Sequence, residues 1–129
     1  MGLTPDRLVA RARSVASRAH APYSGIRVGA VAEDAAGDLH IGVNVESSSY
    51  GLTICAERAA LARAVADAAG DVVALGVARA DGVPISPCGA CRQLLVDLAP
   101  QARVAFVATH GATRVRTAAD LLPDPFVLP

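Results

Sequence analysis

Apolar residues recur at Leu8, Val9, Ala12 and Val15 with charged residues between them, a stripe of helical period. Thr4-Pro5-Asp6 just ahead reads as a cap, a first helical residue and a first-turn acid, and Pro22 predicts that the helix ends before it. The pattern then turns β-rich. Ile26 to Ala32 and Leu39 to Val45 are strand-like runs separated by Glu33 to Asp38, a Gly- and Asp-containing stretch that predicts a hairpin turn. From Cys55 to Ala69 the chain is rich in Ala, Leu and Arg, all strong helix formers, with Gly51-Leu52-Thr53 as the loop and cap before it. Val72 to Ala80 is an apolar strand, and Cys88 to Leu98 a third helix with Pro87 tolerated at its start. Val104 to Ala108 and Thr113 to Arg116 read as strands, and Ala118 to Leu122 as a closing helical turn.

The order helix, hairpin, helix, strand, helix, strand implies an α/β layered domain. Its sheet is mixed, because the hairpin runs antiparallel and the later crossovers parallel, and the two Cys-bearing helices lie side by side on one face. No repeat, linker or low-complexity segment divides the chain, so residues 1–129 read as a single domain.

Composition narrows the partners. With 12 basic and 12 acidic residues the formal charge is zero, which argues against a polynucleotide binder and for a small substrate. Although 53% of residues are hydrophobic, apolar runs such as Val72 to Ala78 are too short to span a bilayer, so the excess predicts contacts between subunits. The N-terminal stretch has no apolar signal region, and Asp6 stands where a myristoylation signal needs Ser or Thr. Three cysteines, an odd number, suit metal binding in a reducing compartment, and the expected location is the cytoplasm.

The chemistry lies in Cys55-Ala56-Glu57 and Pro87-Cys88-Gly89-Ala90-Cys91. Together they offer Cys55, Cys88 and Cys91 as three thiolate ligands and leave the fourth zinc position without a protein group, the pattern of a catalytic rather than a structural site. Both motifs open helices, whose N-terminal N–H groups lower the cost of keeping thiols ionised. Three thiolates also make a bound water harder to ionise, so a positive group is expected nearby. Arg58 and Arg92 each follow a motif directly, and Arg58 is the candidate for tuning the charge. Glu57, two positions from Cys55, points elsewhere than the thiolate and is placed to move protons beside the metal.

These motifs resemble those of zinc deaminases that modify bases, with three cysteines in place of the His-Cys-Cys set. The sequence resembles the small three-cysteine type of the cytidine deaminase family. Ala21-Pro22-Tyr23-Ser24-Gly25-Ile26-Arg27-Val28-Gly29-Ala30, Gly42-Val43-Asn44-Val45-Glu46-Ser47-Ser48-Ser49-Tyr50, Cys88-Gly89-Ala90-Cys91-Arg92-Gln93 and Leu121-Leu122-Pro123-Asp124-Pro125-Phe126 carry the likeness, in order, almost to the C-terminus.

The resemblance implies a three-layer α/β/α fold, one zinc per chain, and hydrolysis of cytidine and deoxycytidine to uridine and deoxyuridine in pyrimidine salvage, with Glu57 as the catalytic acid and base. It further implies that Asn44 and Glu46 bind the ribose hydroxyls, that the backbone of Ala56 and Ser86 reads the base edge, and that Ile26 walls the pocket. In a homotetramer Ser48, Tyr50 and Phe126 would reach a neighbour's site, whereas Phe126 taken alone reads as a tail residue packed on its own sheet. Neither nucleic acid nor membrane is an implied partner.

Other readings of the same residues differ in what they need. Cys88 and Cys91 as a redox pair would leave Cys55 unexplained. A structural zinc module needs a fourth ligand from His20, His40 or His110, none of which lies at ligand spacing to a cysteine. A blasticidin-type deaminase shares the sulfur motif, but the acid in Asn44-Val45-Glu46 favours a ribose binder. Arg92 reads equally well as a solvated helix arginine. Two departures from the family pattern bear on affinity: Ile26 stands where many relatives carry Phe, and Ser47-Ser48-Ser49 replaces a more common Asn-Ala-Ser.

Overall fold

A computed structural model of the chain describes residues 2–129. Helix α1 spans Pro5–Ala16, with Thr4 Oγ1 accepting the Arg7 N–H as its cap. Strands β1 (Val28–Asp34) and β2 (Leu39–Val43) form the expected antiparallel hairpin. After a 3₁₀ turn at Tyr50–Leu52 come α2 (Ala56–Ala66), β3 (Val72–Arg79), α3 (Gly89–Leu98), β4 (Arg103–Val107), β5 (Thr113–Thr117) and α4 (Ala118–Leu121).

The five strands form one sheet in the order β2-β1-β3-β4-β5. β1 pairs antiparallel with β2 and β3, β3 pairs parallel with β4, and β5 returns antiparallel to β4. β2 and β3 therefore run in the same direction, so both helical crossovers, through α2 and through α3, join parallel strands as expected.

Three layers result. On one face Leu8, Val9, Ala12 and Val15 of α1 pack against Val31, Ala74, Ala78 and Ala105. On the other, Ala56, Ala60 and Leu61 of α2 and Leu95 of α3 pack against Ala30, Ala32, Leu75, Val77, Val104 and Phe106. The period-2 alternation of Ala30, Val31 and Ala32 on a strand buried throughout thus serves both faces. Gly42 sets the height of α2. A Cβ there would lie 2.2 Å from the Ala60 nitrogen and 2.5 Å from the Ala56 oxygen, so only glycine lets the helix rest on β2.

Several boundaries differ from expectation. Ile26 is not in β1, because its N–H is held by Ser24 Oγ and its carbonyl by the Asn44 amide, which withdraws both from the sheet ladder. Helix α1 ends at Ala16, before Pro22 as expected, whereas α2 stops before Ala68, which takes a left-handed conformation at φ 53°. Pro87 precedes α3 instead of opening it, since Cys88 is the N-cap residue. Among the described residues no helix is long and apolar enough to cross a membrane.

Candidate active site

Cys55 and Cys88 are the N-cap residues of α2 and α3, in extended backbone conformations, and Cys91 follows one turn into α3. Cys55 therefore lies one position ahead of the first turn in which it was expected. The side-by-side packing of α2 and α3 brings the three sulfurs together. Cys55 Sγ lies 3.7 Å from Cys88 Sγ, Cys88 Sγ lies 3.4 Å from Cys91 Sγ, and all three fall within 4.8 Å of one another.

A tetrahedral zinc with Zn–S bonds of about 2.3 Å sets its sulfurs about 3.8 Å apart, so the trio fits the ion without rearrangement of the backbone. All three cysteines are free thiols. Among the described residues no histidine or carboxylate joins the cluster, which leaves its ligand set at three. His40, offered above as a fourth ligand, is taken up elsewhere by Asp34 at 2.9 Å and Asp67 at 2.8 Å.

Burial divides the sulfurs. It pushes the Cys91 thiol far above its ordinary range, with the Glu57 charge adding to the effect, and raises Cys55 as well. At Cys88 burial acts in the same direction but is outweighed by the Cys91 N–H and the two neighbouring thiols, so its value falls. Ionising all three together requires a cation, which is what a sulfur-binding metal supplies.

Glu57, in the first turn of α2, is only 4% exposed. Burial raises its carboxyl above the usual range, against the opposing pull of its own N–H, the Cys91 side chain and the Arg58 charge. It stands beside the sulfurs without belonging to their cluster, as expected for a group that flanks the metal.

The two arginines have different fates. Arg58 Nη2 donates to the Thr53 carbonyl at 2.8 Å, while its Nε is buried with no partner. Its charge is felt at Glu57. Arg92 is no solvated helix arginine: Nε donates to the Pro87 carbonyl at 2.7 Å and Nη1 to the Leu121 carbonyl at 2.9 Å, tying the Cys88 turn to the C-terminal segment.

The predicted ribose residues are ordered but occupied. Asn44 Oδ1 accepts the Val28 N–H and its amide donates to the Ile26 carbonyl, both at 2.8 Å, so it fixes the stretch that carries Ile26. Each of its polar ends keeps capacity for one further hydrogen bond. Glu46 is half-buried. It accepts the Tyr23 and Ser24 N–H groups at 3.0 and 3.1 Å and the Ser24 hydroxyl, and the Ser24 contacts hold its carboxyl below the usual range. A hollow of about 320 Å³ adjoins it, lined by Tyr23, Ser24, Ser47, Tyr50 and Thr53.

Ser24 was missed as a functional residue. Its signal was the turn-forming Pro22-Tyr23-Ser24-Gly25, in which Gly25 takes φ 72° and the serine hydroxyl is freed to bridge Ile26 and Glu46. Ala56 is fully buried in the core under α2, and Ser86 is exposed just ahead of Cys88. Ser48 is exposed, and Tyr50 and Phe126 are 86% and 70% exposed. The Phe126 carbonyl accepts from Gln93 Nε2 at 3.0 Å, so the tail is tethered to α3 while its ring projects outward.

Comparisons with known proteins agree with this geometry. A family model described as the cytidine and deoxycytidylate deaminase zinc-binding region matches residues 4–108. The solved structure of cytidine deaminase from Burkholderia pseudomallei has a TM-score of 0.87 at 41% identity, covering 96% of this chain and 100% of that one. Cytidine deaminase from Mycobacterium tuberculosis has a TM-score of 0.86 at 35% identity, covering 98% and 99%. A curated cytidine deaminase from Halalkalibacterium halodurans is 38% identical over 120 residues, 92% of this chain and 91% of the relative.

Proposed function

The chain belongs to the cytidine and deoxycytidylate deaminase family and is a zinc-dependent cytidine deaminase, and from that premise we propose how its residues divide the work. The observation that supports the assignment is the meeting of three sulfurs at two helix N-termini with a buried carboxyl beside them and outside their cluster. Zinc held by Cys55, Cys88 and Cys91 supplies a Lewis acid that makes water nucleophilic near neutral pH.

Glu57 takes a proton from the attacking water and delivers it to N3 of the base as oxygen adds at C4; a second transfer through the same carboxyl leads to loss of the exocyclic amine as ammonia. One water is consumed and uridine is formed. Its raised pKa, caused by burial, suits a group that must hold a proton and release it within one turnover.

Arg58 sets positive charge beside Glu57 and the Cys55 cap. The backbone of Ala56 and Ser86 meets the base edge, and Ile26, fixed by Ser24 and Asn44, walls off water. Asn44 and Glu46 take the ribose hydroxyls. Deoxycytidine keeps the 3′-hydroxyl and is accepted; free cytosine forgoes the sugar contacts with Asn44 and Glu46 and is turned over poorly.

Residues 1–129 act as one catalytic domain within a homotetramer in which Ser48, Tyr50 and Phe126 complete a neighbour's site. The exposure of Tyr50, Leu52 and Phe126 supports that reading, because aromatic and branched side chains so placed favour burial. A cytoplasmic role in pyrimidine salvage follows from the reaction and from three thiols that must stay reduced.

Incubation with cytidine, deoxycytidine and cytosine, followed by the ultraviolet change on loss of the amine, tests the assignment. Turnover of both nucleosides with little of the free base is expected. No turnover of any, by zinc-loaded protein, would overturn it.

A further inference from the structure

A second cleft, of about 410 Å³, opens at the C-terminal end of β4. It shares Ser86 with the nucleoside site proposed above and borders Arg92, whose guanidinium is held by the Pro87 and Leu121 carbonyls, but the residues it draws on from β4, β5 and α4 are given no part in the deamination. Strand β5 is a sheet edge, and it reads Thr-Arg-Val-Arg-Thr. Its register sets Arg114 opposite Phe106 and Arg116 opposite Val104, both members of the core on the α2 and α3 side. The alternation of a strand therefore turns both arginines toward that face, while Val115 packs on the α1 side.

Charge on an edge strand commonly guards against pairing with other chains. That role does not require both arginines to line one cleft. Among the described residues neither has a carboxylate within ion-pair distance; the paired arginines are Arg63 and Arg79. Arg114 Nη2 lies 3.0 Å from His110 Nε2, and Arg116 Nη1 donates only to the Val115 carbonyl at 2.8 Å, so most of their donors are free. Thr109, Ser86 and Arg92 also line the cleft, and Ile85, Phe106 and Leu121 supply an apolar part of its wall.

Two guanidinium groups present the planar fork that matches phosphate oxygens, and an apolar wall suits the face of a heterocycle. We propose that this cleft binds a mononucleotide, with its phosphate on Arg114 and Arg116 and its base against the apolar wall. The ligand is a nucleoside that already carries a phosphate, so this site differs in charge preference from the one that takes the uncharged substrate.

The test is calorimetric titration of the zinc-loaded full-length protein with adenosine 5′-monophosphate, adenosine and inorganic phosphate, chosen because a purine does not compete at a cytidine site. Binding of the monophosphate is expected, weaker at higher salt, with the other two at least about tenfold weaker because each offers only half of the contacts. The pair Arg114→Gln and Arg116→Gln should weaken the monophosphate by roughly a hundredfold while kcat/KM for cytidine stays unchanged. Each single variant, checked by its melting temperature, should show part of that loss, which keeps the test intact if the double variant does not fold. Absence of monophosphate binding, binding indifferent to both arginines, or inorganic phosphate binding as tightly as the nucleotide would each overturn the proposal. Cytidine turnover in the same samples reports separately on the deaminase reading.

Discussion

The sulfur corner and the nucleoside rim of this molecule lie side by side but are built differently. Cys91 and Glu57 are 0% and 4% exposed, fixed by two helix N-termini that pack through Ala56, Ala60, Leu61 and Leu95. Ile26, Tyr50 and Phe126, the proposed walls of the substrate site, are 39%, 86% and 70% exposed and come from three loops far apart in sequence. The groups proposed to react are thus held by the core of one chain, whereas the proposed grip on substrate rests on loops and, in the proposed tetramer, on a neighbouring copy. Changes at the corner should abolish chemistry; changes at the rim should alter affinity.

Replacing a sulfur is the most severe way to probe the corner. Cys91→Ala removes a buried ligand and should bring both bound zinc and cytidine turnover to background, read by metal analysis and ultraviolet assay on the same sample. Full zinc content in that variant would show that the ligand set is wrong.

The seat of the corner can be disturbed without touching its chemistry. Gly42→Ala drives a methyl into the α2 backbone at Ala56 and Ala60 and should destabilise the fold by about 1–3 kcal/mol in urea unfolding. Gly51→Ala, where an added Cβ meets nothing within 4 Å, should change stability by less than about 0.5 kcal/mol. Equal effects at the two positions would mean that close approach of α2 to β2 is not what Gly42 provides.

On the rim, Phe126→Ala should raise KM about three- to tenfold, the worth of one aromatic stack, with kcat and zinc unchanged. A fall in kcat at constant KM would place Phe126 nearer the chemistry than the comparison allows.

The smallest effect concerns the far end of α2, where Asp34, His40 and Asp67 form a buried-to-surface network with Arg63 on its outer side. Hydrogen bonding to Asp34, then Asp67, raises His40 above its ordinary 6.5, so its contribution to stability is complete below about that pH and is lost as pH rises through the raised value. Hydrogen bonding to His40 lowers Asp34 and Asp67 below 3.8; their share is present above that value and is lost as pH falls through the lowered ones. The gap in urea midpoint between the parent and His40→Phe should therefore be widest from roughly pH 4 to 6.5 and narrow above it. A gap independent of pH would reduce the network to packing.

Legibility in the sequence followed the same division. Helical stripes, the hairpin and the sulfur spacing are local patterns, so the element order and the zinc ligands could be read directly from residue types. The exact mouth of each helix could not, because cysteine has no strong capping preference and nothing in Cys55-Ala56-Glu57 separates a cap from a first turn. The contacts of His40 with Asp67, of Arg92 with Leu121 and of Ser24 with Glu46 join positions distant along the chain, and only the folded arrangement reveals them.

The most direct test of the division between metal grip and proton transfer is Glu57→Gln, which keeps the size of the side chain and removes its ability to shuttle a proton. Cytidine turnover should fall by about a hundredfold to ten-thousandfold, the range for a positioned acid and base, while zinc stays at one per chain. Turnover near the parent level with zinc retained would contradict the account.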